Sequence, residues 1–319
     1  MQRIGIIRGG ISPEYHFSLK TGANVQKALM DAGFEAIDML LDKDGVLHIK
    51  GVPADMEKAT ASVDAVWNAL HGEFGEDGKL SRLLDDYGIP YTGSGALASG
   101  LAFNKQTAKE AAKSLGINTP ESLLVIPDGT ESVSEITQRI YQHMAPPWVM
   151  KPLTGGASVN THFAFTALDL AMMVEESVSH QEPFIVEQYI YGREAAVGVI
   201  NNFRNKDTYV LPAVEIKSPA RGVLHHDIRS STEEYAVAGG SLSPSEREQA
   251  AALAMRLHHM FGAEDYSQSE FIIDSRGKVW FIEMDTQPHL HDNSPFLVAL
   301  DAVGSSLKEF VTSVINSKK

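Results

Sequence analysis

Apolar and polar positions are organised most clearly over residues 266–285, YSQSEFIIDSRGKVWFIEMD. Residues 270–274 and 279–283 are β-rich apolar runs on either side of Ser275, Arg276 and Gly277, a pattern that predicts a hairpin with a short loop. Glu270 opens the first strand, and Glu283 and Asp285 close the second. Side chains alternate faces along a strand, so Glu283 and Asp285 point the same way, and antiparallel pairing brings Glu270 toward them. Three carboxylates at one edge would repel one another unless a cation lay between them. Oxygen ligands of this kind suit magnesium, or manganese in its place. The competing reading is a solvated strand end with unrelated acids.

From the start of the chain, residues 3–7 read as a strand ending at Arg8, Gly9 and Gly10. Leu19, Ala23, Val25, Leu29 and Met30 then predict a helix over 18–32, stopped by Gly33. Strand, glycine turn and helix form the first unit of a doubly wound parallel sheet. Such a turn offers backbone N–H groups to an anion, with Glu14 just beyond it and Ser18 near the helix start, where a cap is the plain alternative. Strand 36–41 and a short β segment near Leu47 follow. The apolar run 63–70 ends in His71-Gly-Glu-Phe-Gly-Glu-Asp-Gly78. Ligands of open α/β sheets bind outside the carboxyl ends of strands, which makes this a binding loop.

Residues 79–87 read as a helix, and the turn 90–95 closes a first lobe. Residues 104–116 are helical, and Thr119-Pro120 begins a second lobe with strand 122–126, helix 132–144 and strand 148–152. That strand carries Lys151 into Leu153-Thr-Gly-Gly-Ala-Ser-Val-Asn160, a lysine and small-residue loop suited to a polyphosphate. Residues 184–190 form a β segment leading into Tyr191-Gly-Arg-Glu194, and strand 195–200 continues from it. Helices over 245–261 and 305–314 support the hairpin and close the chain.

Composition narrows the class. A chain of 319 residues exceeds the usual size of one core, so two or three lobes are expected, and 43% apolar content is ample to fill them. A net charge of −14 argues against nucleic acid bound through its phosphates. The absence of cysteine removes disulfides and a thiol nucleophile, which fits the cytosol. MQRIGIIRGG reads as a strand rather than a signal core, and no run of about 18 apolar residues occurs. The expectation is a soluble, cytoplasmic protein without membrane or nucleic-acid partners.

HGEFGEDG, followed by GIPYTGSGALASGLAFNK and preceded by GGISPE, resembles the D-alanine:D-alanine ligases of the ATP-grasp superfamily. The likeness runs from residue 5 to about residue 300. It implies an α/β chain of three lobes: a Rossmann-like substrate domain over 1–95, a central ATP-grasp lobe over 96–182, and a C-terminal lobe with the metal and catalytic site over 183–319. It also implies that Lys105 and Lys151 contact ATP. Glu187, Gln188, Tyr189 and Ile190 would form the hinge against adenine, and Glu194 would meet the ribose. Glu270, Glu283 and Asp285 fall at the metal positions, Glu14 at the residue that binds the first substrate's ammonium, and Ser294 at the serine for the second substrate's carboxylate. Ser18 and His71 are further candidates for substrate contact.

The sequence departs from the family around the chemistry. Ala157 stands at the first serine of the phosphate loop, leaving Ser158, and Asn160 stands where glycine is usual. Arg229 is the candidate for the lid lysine. Gln268 replaces an arginine that stabilises the transferring phosphoryl group, and His289 replaces a glycine of the oxyanion hole. Losing one such donor slows chemistry by about 100 to 1000-fold. A histidine there could act as acid or base toward an incoming amine. Neither His289, His291 and Asp292 nor His225 and His226 form a complete metal-ligand set of recognised spacing, and they read as solvated. The function expected is a magnesium-dependent ATP ligase. It would join two small amino acids through an acyl phosphate, as in cell-wall peptidoglycan precursor synthesis, and a homodimer is compatible with this. A diverged ligase for another acid and amine, and a silent ATP-binding homologue, stand as alternatives.

Overall fold

The computed structural model describes residues 1–156, 160–217 and 235–318. Ser158 and Arg229 therefore lie outside the described residues, as do Ala157, His225 and His226. The chain begins with β1 (Arg3–Gly9), α1 (Tyr15–Asp31), β2 (Glu35–Leu41), β3 (Leu47–Ile49), β4 (Val52–Pro53), α2 (Met56–Ala61), β5 (Ala65–Asn68) and α3 (Lys79–Asp86). Their sheet runs β4-β3-β2-β1-β5. Its β2-β1-β5 centre is parallel, as the strand–turn–helix pattern predicts, while β3 and β4 add an antiparallel edge. The first helix starts at Tyr15, three residues before the expected position, because Glu14 already occupies its N-cap.

The middle of the chain contributes α4 (Ala96–Phe103), α5 (Lys105–Ser114), β6 (Ser122–Val125), α6 (Val133–His143), β7 (Trp148–Pro152), β8 (His162–Ala164), α7 (Ala167–Ser179) and β9 (Phe184–Gln188). The sheet is antiparallel, in the order β6-β9-β7-β8. Capping boxes start both helices that cover it: Ser132 with Glu135 at α6 and Thr166 with Asp169 at α7. β9 is an interior strand of this sheet.

The remaining elements are β10 (Gly192–Phe203), β11 (Lys206–Val210), β12 (Val214–Lys217), β13 (Tyr235–Ala238), α8 (Pro244–Met260), β14 (Tyr266–Asp274), β15 (Val279–Asp285), α9 (Pro295–Ala302) and α10 (Leu307–Asn316). The six-stranded antiparallel sheet is ordered β13-β12-β10-β14-β15, with β11 on β10. One continuous core joins first lobe to last: Ile4, Ile6 and Trp67 pack with Tyr266, Phe296 and Phe310. Trp67 and Tyr266 stack with ring centres 6.0 Å apart. The shared core fixes the carboxyl ends of β1 and β5 beside the end of the hairpin, where the candidate site lies. Among the described residues no helix is long and apolar enough to cross a membrane.

Candidate active site

The hairpin pairs Glu270 with Glu283 and Gln268 with Asp285. Regular pairing from Ile273 and Val279 would instead set Glu283 opposite Ser269, because the register shifts between Glu270 and Phe271. The extra residue is Ile282 of β15, and a one-residue shift turns a strand's side chains to the other face. The bulge thus puts Glu270 and Glu283 side by side. Gln268 donates from Nε2 to Glu270 Oε1 at 3.3 Å. Burial pushes the Asp285 carboxyl well above the usual range, reinforced by the negative charge of Glu76 and Glu14. Glu270, Glu283 and Asp285 are half-buried, and their carboxylate oxygens are not all within 4.8 Å of one another; an all-oxygen donor set of this kind suits a hard divalent cation that would draw them together.

Glu14 sits where all three lobes meet. Its Oε2 accepts from His289 Nε2 at 3.2 Å, and its carboxylate also accepts from the Gly156 N–H of the phosphate loop. A Cβ on Gly156 would approach Glu14 Oε1 to 3.3 Å, so the glycine permits the close approach. Burial opposes the charge, but these hydrogen bonds and the nearby histidines hold the carboxyl below its ordinary value. At neutral pH the hydrogen bonds are the cause that persists, because burial lowers the titration of His289 and takes that of His71 to about 4. His71 is enclosed, contacting Thr21 Oγ1 at 2.9 Å and Glu76 Oε1 at 3.1 Å. Its ring centre is 4.1 Å from that of His289, which stacks on Phe17.

Ser18 departs from expectation. Its hydroxyl accepts from Gly9 N–H and donates to the Ala69 carbonyl, both at 2.7 Å, and the residue is 0% exposed. It ties the ends of β1 and β5 together, so it is neither a helix cap nor open to a substrate. Ser294, in contrast, heads α9 without capping it, and its Oγ is buried with no hydrogen-bond partner among the described residues. An unmatched buried hydroxyl is costly unless something else satisfies it.

Asn104 caps α5 by accepting from Gln106 and Thr107 N–H, which sets Lys105 at the first turn. Lys105 Nζ donates to the Gly155 carbonyl and lies 3.7 Å from Glu283 Oε2, linking the phosphate loop to the hairpin. Lys151, on β7, reaches Glu187 Oε2 at 3.1 Å. Glu187 is also 2.8 Å from Lys109 Nζ. Burial disfavours its charge, yet the two ammonium groups hold its carboxyl at about 2. Gln188 and Tyr189 N–H donate to the Glu121 and Pro147 carbonyls, so neither of these N–H groups is open to a base. Ile190 is buried beyond them. Glu194 lies on β10 between Ile216 and Ile272, and Ala196 two residues on pairs with Glu270, placing Glu194 and Glu270 on one sheet face.

Lys109, Glu76, Thr21 and Gln287 join the site without having been singled out by the sequence. Lys109 had a signal, since it lies four residues after Lys105 on the same helix face. Glu76 is in the predicted loop. Thr21 and Gln287 have none, because their partners lie far along the chain.

The family model described as "D-ala D-ala ligase C-terminus" matches residues 111–316, and that described as "D-ala D-ala ligase N-terminus" matches 46–94. The chain is 30% identical over 316 residues to a D-alanine–D-alanine ligase of Pelotomaculum thermopropionicum, covering 98% of this chain and 95% of that one. It is 29% identical to a D-alanine–D-alanine ligase of Aquifex aeolicus, covering 98% and 99%. Among solved structures, the VanG D-Ala:D-Ser ligase from Enterococcus faecalis superposes with a TM-score of 0.85 at 20% identity, over 100% of this chain and 99% of that one. The Bacillus anthracis D-alanine–D-alanine ligase complexed with ATP gives 0.79 at 23%, over 100% and 97%. These structural likenesses show a shared fold, the ATP-grasp architecture of three sheets.

Proposed function

The chain belongs to the D-alanine:D-alanine ligase family, and from that premise we propose that it joins two D-alanine molecules into a dipeptide for peptidoglycan precursors. It is an ATP-dependent, ADP-forming ligase. The observation that carries the substrate reading is the placement of Glu14, ionised and hydrogen-bonded to the phosphate loop and to the segment after the hairpin. A buried anion at the meeting point of three lobes suits the ammonium of a small amino acid held beside a nucleotide's phosphates.

In this reading Lys105 and Lys151 contact phosphates, and Glu187 with Lys109 holds Lys151 in place. Ile190 offers its main chain to adenine, and Glu194 receives the ribose hydroxyls. Glu270, Glu283 and Asp285 would hold magnesium, which supplies charge neutralisation across the phosphates. Glu14 holds the first substrate so that its carboxylate meets the γ-phosphoryl group. Ser294 receives the second substrate's carboxylate and orients its amine toward the acyl phosphate. Gln268 offers a neutral donor in place of a cation, and His289 contacts the first-substrate anchor. A diverged acid–amine pair or a silent homologue is not favoured, since the likeness spans the whole chain.

Phosphate release from ATP with magnesium and a panel of single amino acids and pairs tests this. D-alanine-dependent release with dipeptide formation is expected, and release with another pair alone, or none, overturns it. Gln268→Arg is expected to raise the rate by on the order of 10-fold or more, because a charged donor replaces a neutral one.

A further inference from the structure

His71 and Glu76 lie on the loop after β5, and His289 lies beyond β15, more than 200 residues later in the chain. One ligand atom of each falls within 4.8 Å of the other two, the one such group of histidine, aspartate or glutamate side chains among the described residues. His71 Nδ1 and Glu76 Oε1 are 3.1 Å apart. Two ligands each about 2.0–2.1 Å from a tetrahedral ion lie about 3.3 Å apart, so this pair needs little movement to share one. The other nitrogen of His71 is held by Thr21 Oγ1, which Leu290 N–H fixes in turn at 3.2 Å. Outer contacts of this type set the tautomer and direction of a ligating imidazole. Glu14, 3.2 Å from His289 Nε2, places a further carboxylate at the edge of the group.

We propose that His71, Glu76 and His289 form a site for a borderline-soft dication of the zinc class, separate from the carboxylate set of the hairpin. Donor chemistry separates the two. Imidazole nitrogens select zinc or cobalt, whereas magnesium takes oxygen ligands and keeps its waters. The glycine expected at position 289 could supply no such ligand, so the site is a consequence of this chain's own histidine. It stands whether or not D-alanine is the substrate.

Equilibrium dialysis of the chelator-treated full chain against zinc, with magnesium in large excess, tests it. The wild type is expected to retain about one zinc per chain. His289→Gly is expected to weaken retention by at least about 10-fold, the low end of the cost of disturbing even outer-shell partners, with the far-ultraviolet spectrum unchanged. Asp285→Asn is expected to retain zinc as the wild type does. Cobalt added to the unmodified protein provides a measurement independent of folding variants, and strong visible bands of a four-coordinate, nitrogen-containing site are expected. Displacement of zinc by magnesium, undiminished retention by a folded His289→Gly, or only the weak bands of six-coordinate cobalt overturns the site.

Discussion

Glu283 faces Glu270 across the hairpin, with Ile282 an extra residue in the second strand. Deleting Ile282 removes the bulge and leaves Glu283 opposite Glu270, whereas inserting an alanine between Ile282 and Glu283 sets Glu283 opposite Ser269, on the other face. The insertion is expected to abolish magnesium-dependent ATP turnover, and the deletion to retain it. Ile282→Ala keeps the residue count and is expected to retain turnover while losing about 2–5 kcal/mol of stability from the core. Calorimetric titration with magnesium and ATP, alongside urea unfolding, separates the two outcomes.

Lys109 and Glu187 lie 2.8 Å apart with almost no exposed side-chain surface. Lys109→Met would leave the carboxylate with Lys151 alone. Stability is expected to fall by about 3 kcal/mol, the cost of removing one partner of a buried pair. ATP affinity should fall too, since Lys151 is then drawn more tightly to Glu187. Urea unfolding and nucleotide titration check both effects, and unchanged stability would contradict the buried pairing.

Ser294 offers a contrast between stability and function. Its hydroxyl has no internal partner among the described residues, so Ser294→Ala is expected to change stability by less than about 1 kcal/mol. If it receives the second substrate's carboxylate, the KM for that substrate should rise about 10-fold or more with the first substrate's KM little changed. Steady-state kinetics with each substrate varied in turn gives the answer.

His258 gives a pH dependence of determined sign. It is buried, with Nδ1 2.7 Å from Ser267 Oγ, and burial, aided by His259, lowers its titration to about 4. The folded value lies below the ordinary value near 6.5, so the neutral form is favoured by folding. Its contribution is fully present above about 6.5 and is lost as pH falls from there through about 4. The size of that loss is on the order of 3 kcal/mol. His258→Gln should flatten this acid limb, as unfolding free energies measured between pH 7 and 4 will show.

Local pattern determined much of this protein. Two apolar β-rich runs around a turn specified the hairpin, the 3.6-residue period specified α1, and the helices expected over 104–116, 132–144 and 245–261 are α5, α6 and α8, with bounds within two residues of those ranges. These features depend on neighbours within a few residues, and the sequence carries them directly. The alanine-rich stretch of α4 offered too little contrast between its faces to be seen, and the same held for the short α2. The bulge at Ile282 was likewise silent, because register is set by which face finds the core and not by the strand's composition. Only the tertiary structure assigned Ser18 to bracing two strands, closed Glu187 between two lysines, and set His71 beside His289. Those relationships join groups up to more than two hundred residues apart, and they exist because a single core fuses the first and last lobes and holds their strand ends within reach of one another.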